Sequence, residues 1–94
     1  MPKDKAPLYL DQVPNWQLVE DKVMKINREF RFRNFKESMT FVNRVAILAE
    51  EEGHHPDIYI FYNKVRLELF THAAGGLSEN DFIMAAKINQ ININ

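Results

Sequence analysis

Between Asp57 and His72 the chain reads Ile-Tyr-Ile-Phe-Tyr, then Asn63-Lys64, then Val-Arg-Leu-Glu-Leu-Phe-Thr, and no other segment constrains the fold as tightly. β-Branched and aromatic residues fill both runs and a short polar pair divides them, so the segment is expected to form a β-hairpin. With Asn63 and Lys64 as a two-residue loop, Tyr62 faces Val65, Ile60 faces Leu67, Ile58 faces Leu69 and His55 faces His72. Strand alternation then sends Ile58, Ile60, Tyr62, Val65, Leu67 and Leu69 to one face. His55, Tyr59, Phe61, Arg66, Glu68 and His72 share the other.

The three histidines of the protein all lie at the ends of this segment. Pro56 biases His55 toward extended backbone and Gly53 is a natural helix stop, which leaves His54 at a corner between helix and strand. Imidazole titrates near neutrality, so a cluster of three can hold one protonated and one neutral member, a general acid beside a general base. Spacing alone leaves three readings open: solvated or structural histidines, a metal site, and a metal-free acid–base site. Three histidines can ligate zinc, but the chain has no cysteine and neither His-x-x-x-His nor His-Glu-x-x-His occurs.

Ninety-four residues make one small domain, which buries only about 60–65% of its unfolded surface. Prolines at 2, 7 and 14 mark residues 1–14 as an extended N-terminal arm, with Leu8 and Leu10 as the residues that tack its end to the body, and residues 15–94 as the domain proper. Asn15 to Val19 is expected as a short strand carrying Trp16, a residue read as a core or edge aromatic, or else as a ligand wall. In Lys22 to Phe32, Met24, Ile26, Phe30 and Phe32 alternate with polar residues, with Arg28 as the one charge on the apolar side. These two strands are expected to turn near Glu20-Asp21.

Asn34 has the position of a helix N-cap with Glu37 three residues on, and opens a helix over residues 35–52. Its carboxylates Glu50, Glu51 and Glu52 oppose the helix dipole, which suggests a solvated run or one acid orienting an imidazole. Ser78-x-x-Asp81 repeats the capping signature and opens a second helix to about Asn92, which explains Asp81 structurally before any function is invoked. Both helices are apolar beyond the stripe that one sheet can cover, so a homodimer or homotetramer is expected, with Phe41, Leu48, Met84, Ile88 or Ile91 in the contact. The order β-β-α-β-β-α predicts an α+β fold: a four-stranded antiparallel sheet with helices packed on one face.

A formal charge of −1 with interspersed signs argues against direct nucleic-acid binding. Neither a signal peptide nor a membrane span is recognisable, and with no cysteine the expected location is cytoplasmic.

Asn27-Arg28-Glu29-Phe30-x-Phe32-x-Asn34-Phe35, Val45-Ala46, His54-His55-Pro56-Asp57, Tyr62-Asn63-Lys64-Val65, Thr71-His72 and Gly76-Leu77-Ser78-Glu79-x-Asp81 together resemble the pterin-4a-carbinolamine dehydratases. The resemblance runs from Trp16 onward. It implies an oligomeric α+β enzyme that dehydrates 4a-hydroxytetrahydropterin to quinonoid dihydropterin in tetrahydropterin recycling, with pterin as substrate and no metal or cofactor. It also implies catalytic roles for His54, His55 and His72, and substrate contacts from Glu50, Thr71, Trp16 and Asp81. Two departures stand out: Ile58 replaces the aromatic that some members carry, and the Pro-rich arm stands where longer members have a helix. The alternative in the same family is a non-catalytic oligomeric module acting as a dimerisation cofactor or transcriptional coactivator.

Overall fold

The computed structural model describes residues 1–2 and 4–93. Its elements are α1 (Ala6–Leu10), β1 (Gln17–Glu20), β2 (Met24–Arg31), α2 (Phe35–Glu52), β3 (Asp57–Ile60), β4 (Lys64–Leu69), a 3-10 turn (His72–Ala74) and α3 (Glu79–Ile88). The four strands form one antiparallel sheet in the order β1-β2-β4-β3, an α+β arrangement. Period-two burial in β4 is complete: Val65, Leu67 and Leu69 are buried and join Ile26 of β2 beneath α2 and α3. Phe41, Val42, Val45 and Ala49 from α2, with Phe82, Met84, Ala85 and Ile88 from α3, close the core from above. The opposite face carries charge, with Lys25 and Arg66 both against Glu68 at 3.7 and 3.5 Å and Arg66 stacked on Tyr59 at 4.2 Å.

Helix α2 has the bounds its sequence predicts. Asn34 is extended and its Oδ1 accepts from Glu37 N–H at 2.9 Å, while Gly53 ends the helix in the left-handed region at φ 65°. Glu37 turns to Arg33 rather than to the cap, accepting from its backbone N–H and its guanidinium. Those hydrogen bonds hold the Glu37 carboxyl below its usual range, so what the contact contributes to stability is present above the unfolded carboxyl pKa and is lost as pH falls through the lowered folded value. Asn34→Ala is expected to cost about 1 kcal/mol, the loss of one N-cap, read as a shift of the denaturant midpoint with unchanged slope.

The 58–71 hairpin forms, but its tip is Tyr62-Asn63 rather than Asn63-Lys64: Phe61 N–H donates to Lys64 C=O at 2.8 Å, and Ile60 faces Val65 and Ile58 faces Leu67. Tertiary contacts select this tip. Ser38 Oγ donates to Tyr62 C=O at 3.2 Å, Phe32 N–H donates to Asn63 C=O at 2.8 Å, and the Tyr62 ring stacks on Phe35 with centroids 6.4 Å apart. Each partner moves by two positions, so the division into apolar and polar faces survives while every cross-strand pair changes. The expected opposition of His55 and His72 is therefore wrong; pairing begins at Asp57 with Glu68, and the residue in line with His55 is Phe70.

Where residues 1–14 are expected as an extended arm, the described residues hold helix α1. Pro7 lies in the first turn of α1, where its missing N–H removes no helical bond. Ala6 and Val13 anchor the segment in the core, Leu10 packs partly buried against it while Leu8 is exposed, and Tyr9 packs on Phe82 with centroids 5.3 Å apart. Helix α3 stops at Ile88 instead of near Asn92: Asn89 N–H still donates to Ala85 C=O at 3.0 Å, but Gln90 and Ile91 tighten onto Lys87 and Ile88 C=O, and the Asn89 side chain is held by three partners. Arg28 has its explanation here: its NH1 donates to Asn89 Oδ1 at 2.5 Å, its guanidinium lies 4.3 Å from the Phe30 ring, and burial draws its pKa below the usual arginine value.

These contacts also bury three of the five residues expected in the association surface. Phe41, Met84 and Ile88 are each no more than 3% exposed within the single chain, since α1 and α2 both pack on α3. Leu48 and Ile91 are partly buried against the same core.

Candidate active site

Three chain ends meet near Asp81. The end of α2 supplies His54, whose N–H still donates to Ala49 C=O at 3.2 Å across the Gly53 cap. The extension of β4 supplies Thr71, held by an isolated bridge to Gly76. The start of α3 supplies Ser78 and Asp81.

Asp81 is wholly buried, yet both its oxygens are used. Oδ1 lies 2.6 Å from His54 Nε2, while Oδ2 accepts from Thr71 Oγ1 at 2.9 Å and from Ser78 N–H at 2.8 Å. A buried carboxylate is stable only when hydrogen bonds replace its water, and this one is fully supplied. The capping box found in the sequence is real. What the sequence reading left out is that the same carboxylate also reaches a histidine twenty-seven residues away in the chain.

His55 turns the other way. Its Nε2 contacts Glu50 Oε2 from the last turns of α2, and both side chains are largely exposed. Thus one carboxylate of the Glu50–Glu52 run does orient an imidazole, while Glu52 instead pairs with Lys87 of α3 at 2.5 Å. His72 directly follows Thr71 and opens the 3-10 turn; its exposed ring packs on Phe70 with centroids 4.4 Å apart. Chain connectivity and Asp81 therefore bring His54, Thr71 and His72 to one region, with His55 and Glu50 beside His54. Ser78 belongs to this set although its sequence position suggests only a cap.

Trp16 is not among them. Its ring is buried, meets Phe30 edge-on at 6.3 Å, and donates its N–H to Asn89 Oδ1 at 2.8 Å. Asn89 is eight residues beyond Asp81, about 12 Å along α3. The core reading of Trp16 thus fits the structure of the single chain better than the ligand-wall reading. A cavity of about 580 Å³ also lies elsewhere, lined by Asn15, Gln17, Asn27, Arg28, Glu29 and Arg66, with no histidine.

Among the described residues, no three histidine, aspartate or glutamate side chains converge as a metal-ligand group, and no helix is long and apolar enough to cross a membrane. Two imidazoles on separate carboxylates, with a third on an aromatic ring, can exchange protons with a bound molecule in both directions.

Comparison with known proteins identifies the family. The family profile described as pterin 4 alpha carbinolamine dehydratase matches residues 1–91. The Arabidopsis thaliana protein named pterin-4-alpha-carbinolamine dehydratase 2, mitochondrial, is 44% identical over 99% of this chain, which spans 51% of that longer protein. A Chloroflexus aurantiacus protein named putative pterin-4-alpha-carbinolamine dehydratase is 52% identical over 87% of this chain and 85% of its own length. The crystal structure of a transcriptional coactivator/pterin dehydratase from Brucella melitensis superposes with a TM-score of 0.87 at 32% identity, covering 95% of this chain and 94% of that one. With a profile match over nearly its whole length and relatives this similar, the chain belongs to the pterin-4-alpha-carbinolamine dehydratase family of hydro-lyases.

Proposed function

We propose that the chain dehydrates 4a-hydroxytetrahydropterin to quinonoid dihydropterin by histidine acid–base catalysis, without a metal or cofactor, in the recycling of tetrahydropterin. The observation that carries the reading is the placement of His54 on Asp81 beside the Glu50–His55 pair and His72. In the reaction the C4a–O bond breaks, a protonated imidazole delivers its proton to the departing hydroxyl, and a neutral imidazole accepts the proton leaving a ring nitrogen. Atoms balance as one water lost.

Both roles lie within reach of imidazole near neutral pH. A stopped-flow assay with chemically generated 4a-hydroxytetrahydropterin tests the reading. The expected result is acceleration over the spontaneous reaction that survives chelator; a rate equal to the spontaneous one would overturn the function, and loss of activity with chelator would overturn the metal-free mechanism.

The active form we propose is a homodimer or dimer of dimers. Support comes from an apolar strip along the β3 edge that the fold leaves exposed: Ile60, Phe61 next to it, Tyr62 at the hairpin tip and Phe35 stacked on Tyr62, between 43 and 68% exposed. This strip replaces the helix residues that the sequence favours. The same strip would serve a binding role of the kind that the name of the Brucella melitensis transcriptional coactivator/pterin dehydratase implies for that protein. Cytoplasmic residence is a further proposal, set against the mitochondrial label of the Arabidopsis relative.

A further inference from the structure

We infer that Thr71 and Ser78 are positioning residues that fix the tautomer of His54 through Asp81, so that Nδ1 of His54 is the ring atom left to exchange protons. A hydroxyl owns one proton, and counting protons around Asp81 assigns every direction. Thr71 Oγ1 donates to Asp81 Oδ2 at 2.9 Å, so its proton is used. The 2.7 Å contact between Thr71 Oγ1 and Ser78 Oγ must then be donated by Ser78. Ser78 N–H donates to the same Oδ2 at 2.8 Å. Oδ2 thus accepts two hydrogens, and the other oxygen of the carboxylate, Oδ1, is an acceptor as well. Its partner at 2.6 Å is His54 Nε2, which therefore carries hydrogen. A neutral His54 is then the Nε2–H tautomer with its lone pair on Nδ1.

Tertiary position, not local sequence, builds this chain of donors. Thr71 is set by its bridge to Gly76, through Thr71 N–H to Gly76 C=O at 2.6 Å, and Ser78 by the start of α3. A valine at position 71 keeps the shape of the side chain but removes the donor to Oδ2 and leaves the Ser78 hydroxyl without its acceptor. A serine keeps both.

Nitrogen-15 NMR of histidine-labelled protein near pH 8.5, where an ordinary imidazole is neutral, reads the tautomer without any turnover. In the unsubstituted chain, His54 Nε2 is expected at a protonated, pyrrole-type shift and Nδ1 at a pyridine-type shift. Thr71→Val should move both shifts toward the tautomeric average and lower kcat by about tenfold with a smaller change in KM, and Thr71→Ser should restore both. A pyrrole-type Nδ1 in the unsubstituted protein would overturn the inference whether or not any variant folds. Unchanged shifts in a folded Thr71→Val protein would do the same. The positioning role rests on the dehydratase reading, whereas the tautomer does not: a chain inactive on pterin but with the Nε2–H ring would fail the former alone.

Discussion

Replacing His55 or His72 with alanine is expected to slow the dehydration of 4a-hydroxytetrahydropterin by about 10²-fold or more, while the melting temperature stays within a few degrees of the parent. Kinetic and structural consequences separate because both rings are exposed. The contact of His55 with Glu50 is a surface pair, worth at most about 1 kcal/mol, and the site of His72 is an open turn whose ring rests on Phe70. His54→Ala is different. It removes a mostly buried ring and leaves Oδ1 of the fully buried Asp81 without a donor, so it should lose activity and also about 1–3 kcal/mol of stability. Stopped-flow rates beside denaturant midpoints for the three variants make the check. Parental turnover in both His55→Ala and His72→Ala would remove the acid–base assignment.

That contrast shows where sequence reading succeeds and where it stops. Helix α2 was legible because its signals are local: an Asn34 cap, a periodic apolar arc and a left-handed Gly53. The apolar and polar faces of β4 were legible for the same reason, since alternation needs no knowledge of the partner strand. The hairpin tip was not, because the choice between Tyr62-Asn63 and Asn63-Lys64 is made by Ser38 and Phe32, which lie twenty or more residues earlier. Asp81 shows both sides at once. Its bond to Ser78 N–H is three residues long and could be read as a cap, whereas its bonds to Thr71 and His54 exist only after the sheet and both helices have packed. Proline content misled at the N-terminus, where a helix forms and the fully buried positions are Ala6 and Val13.

Ile88→Asp is expected to destabilise the chain by at least about 3 kcal/mol, out of a total of about 5–14 kcal/mol for a domain of this size. The side chain is 1% exposed within the single chain and belongs to the core that the sheet, α2 and α3 share. An isoleucine truncated in such a place costs about 2–5 kcal/mol, and an unpaired buried charge adds desolvation to that loss. If Ile88 instead lay in a subunit contact, the same change would yield a folded monomer. Ile60→Asp supplies the opposite case. Ile60 is 43% exposed on an edge strand beside Phe61 and Tyr62, so a carboxylate there stays hydrated in the monomer and disturbs only what packs against the strip. Multi-angle light scattering and urea melts on the two variants should therefore cross over, with Ile88→Asp losing midpoint and Ile60→Asp losing mass. A parent mass of about 11 kDa at micromolar concentration would overturn association altogether. An oligomer unchanged by Ile60→Asp would move the contact away from the β3 edge, leaving exposed Ile47 on α2 and Ile83 on α3 as the next apolar surface to test.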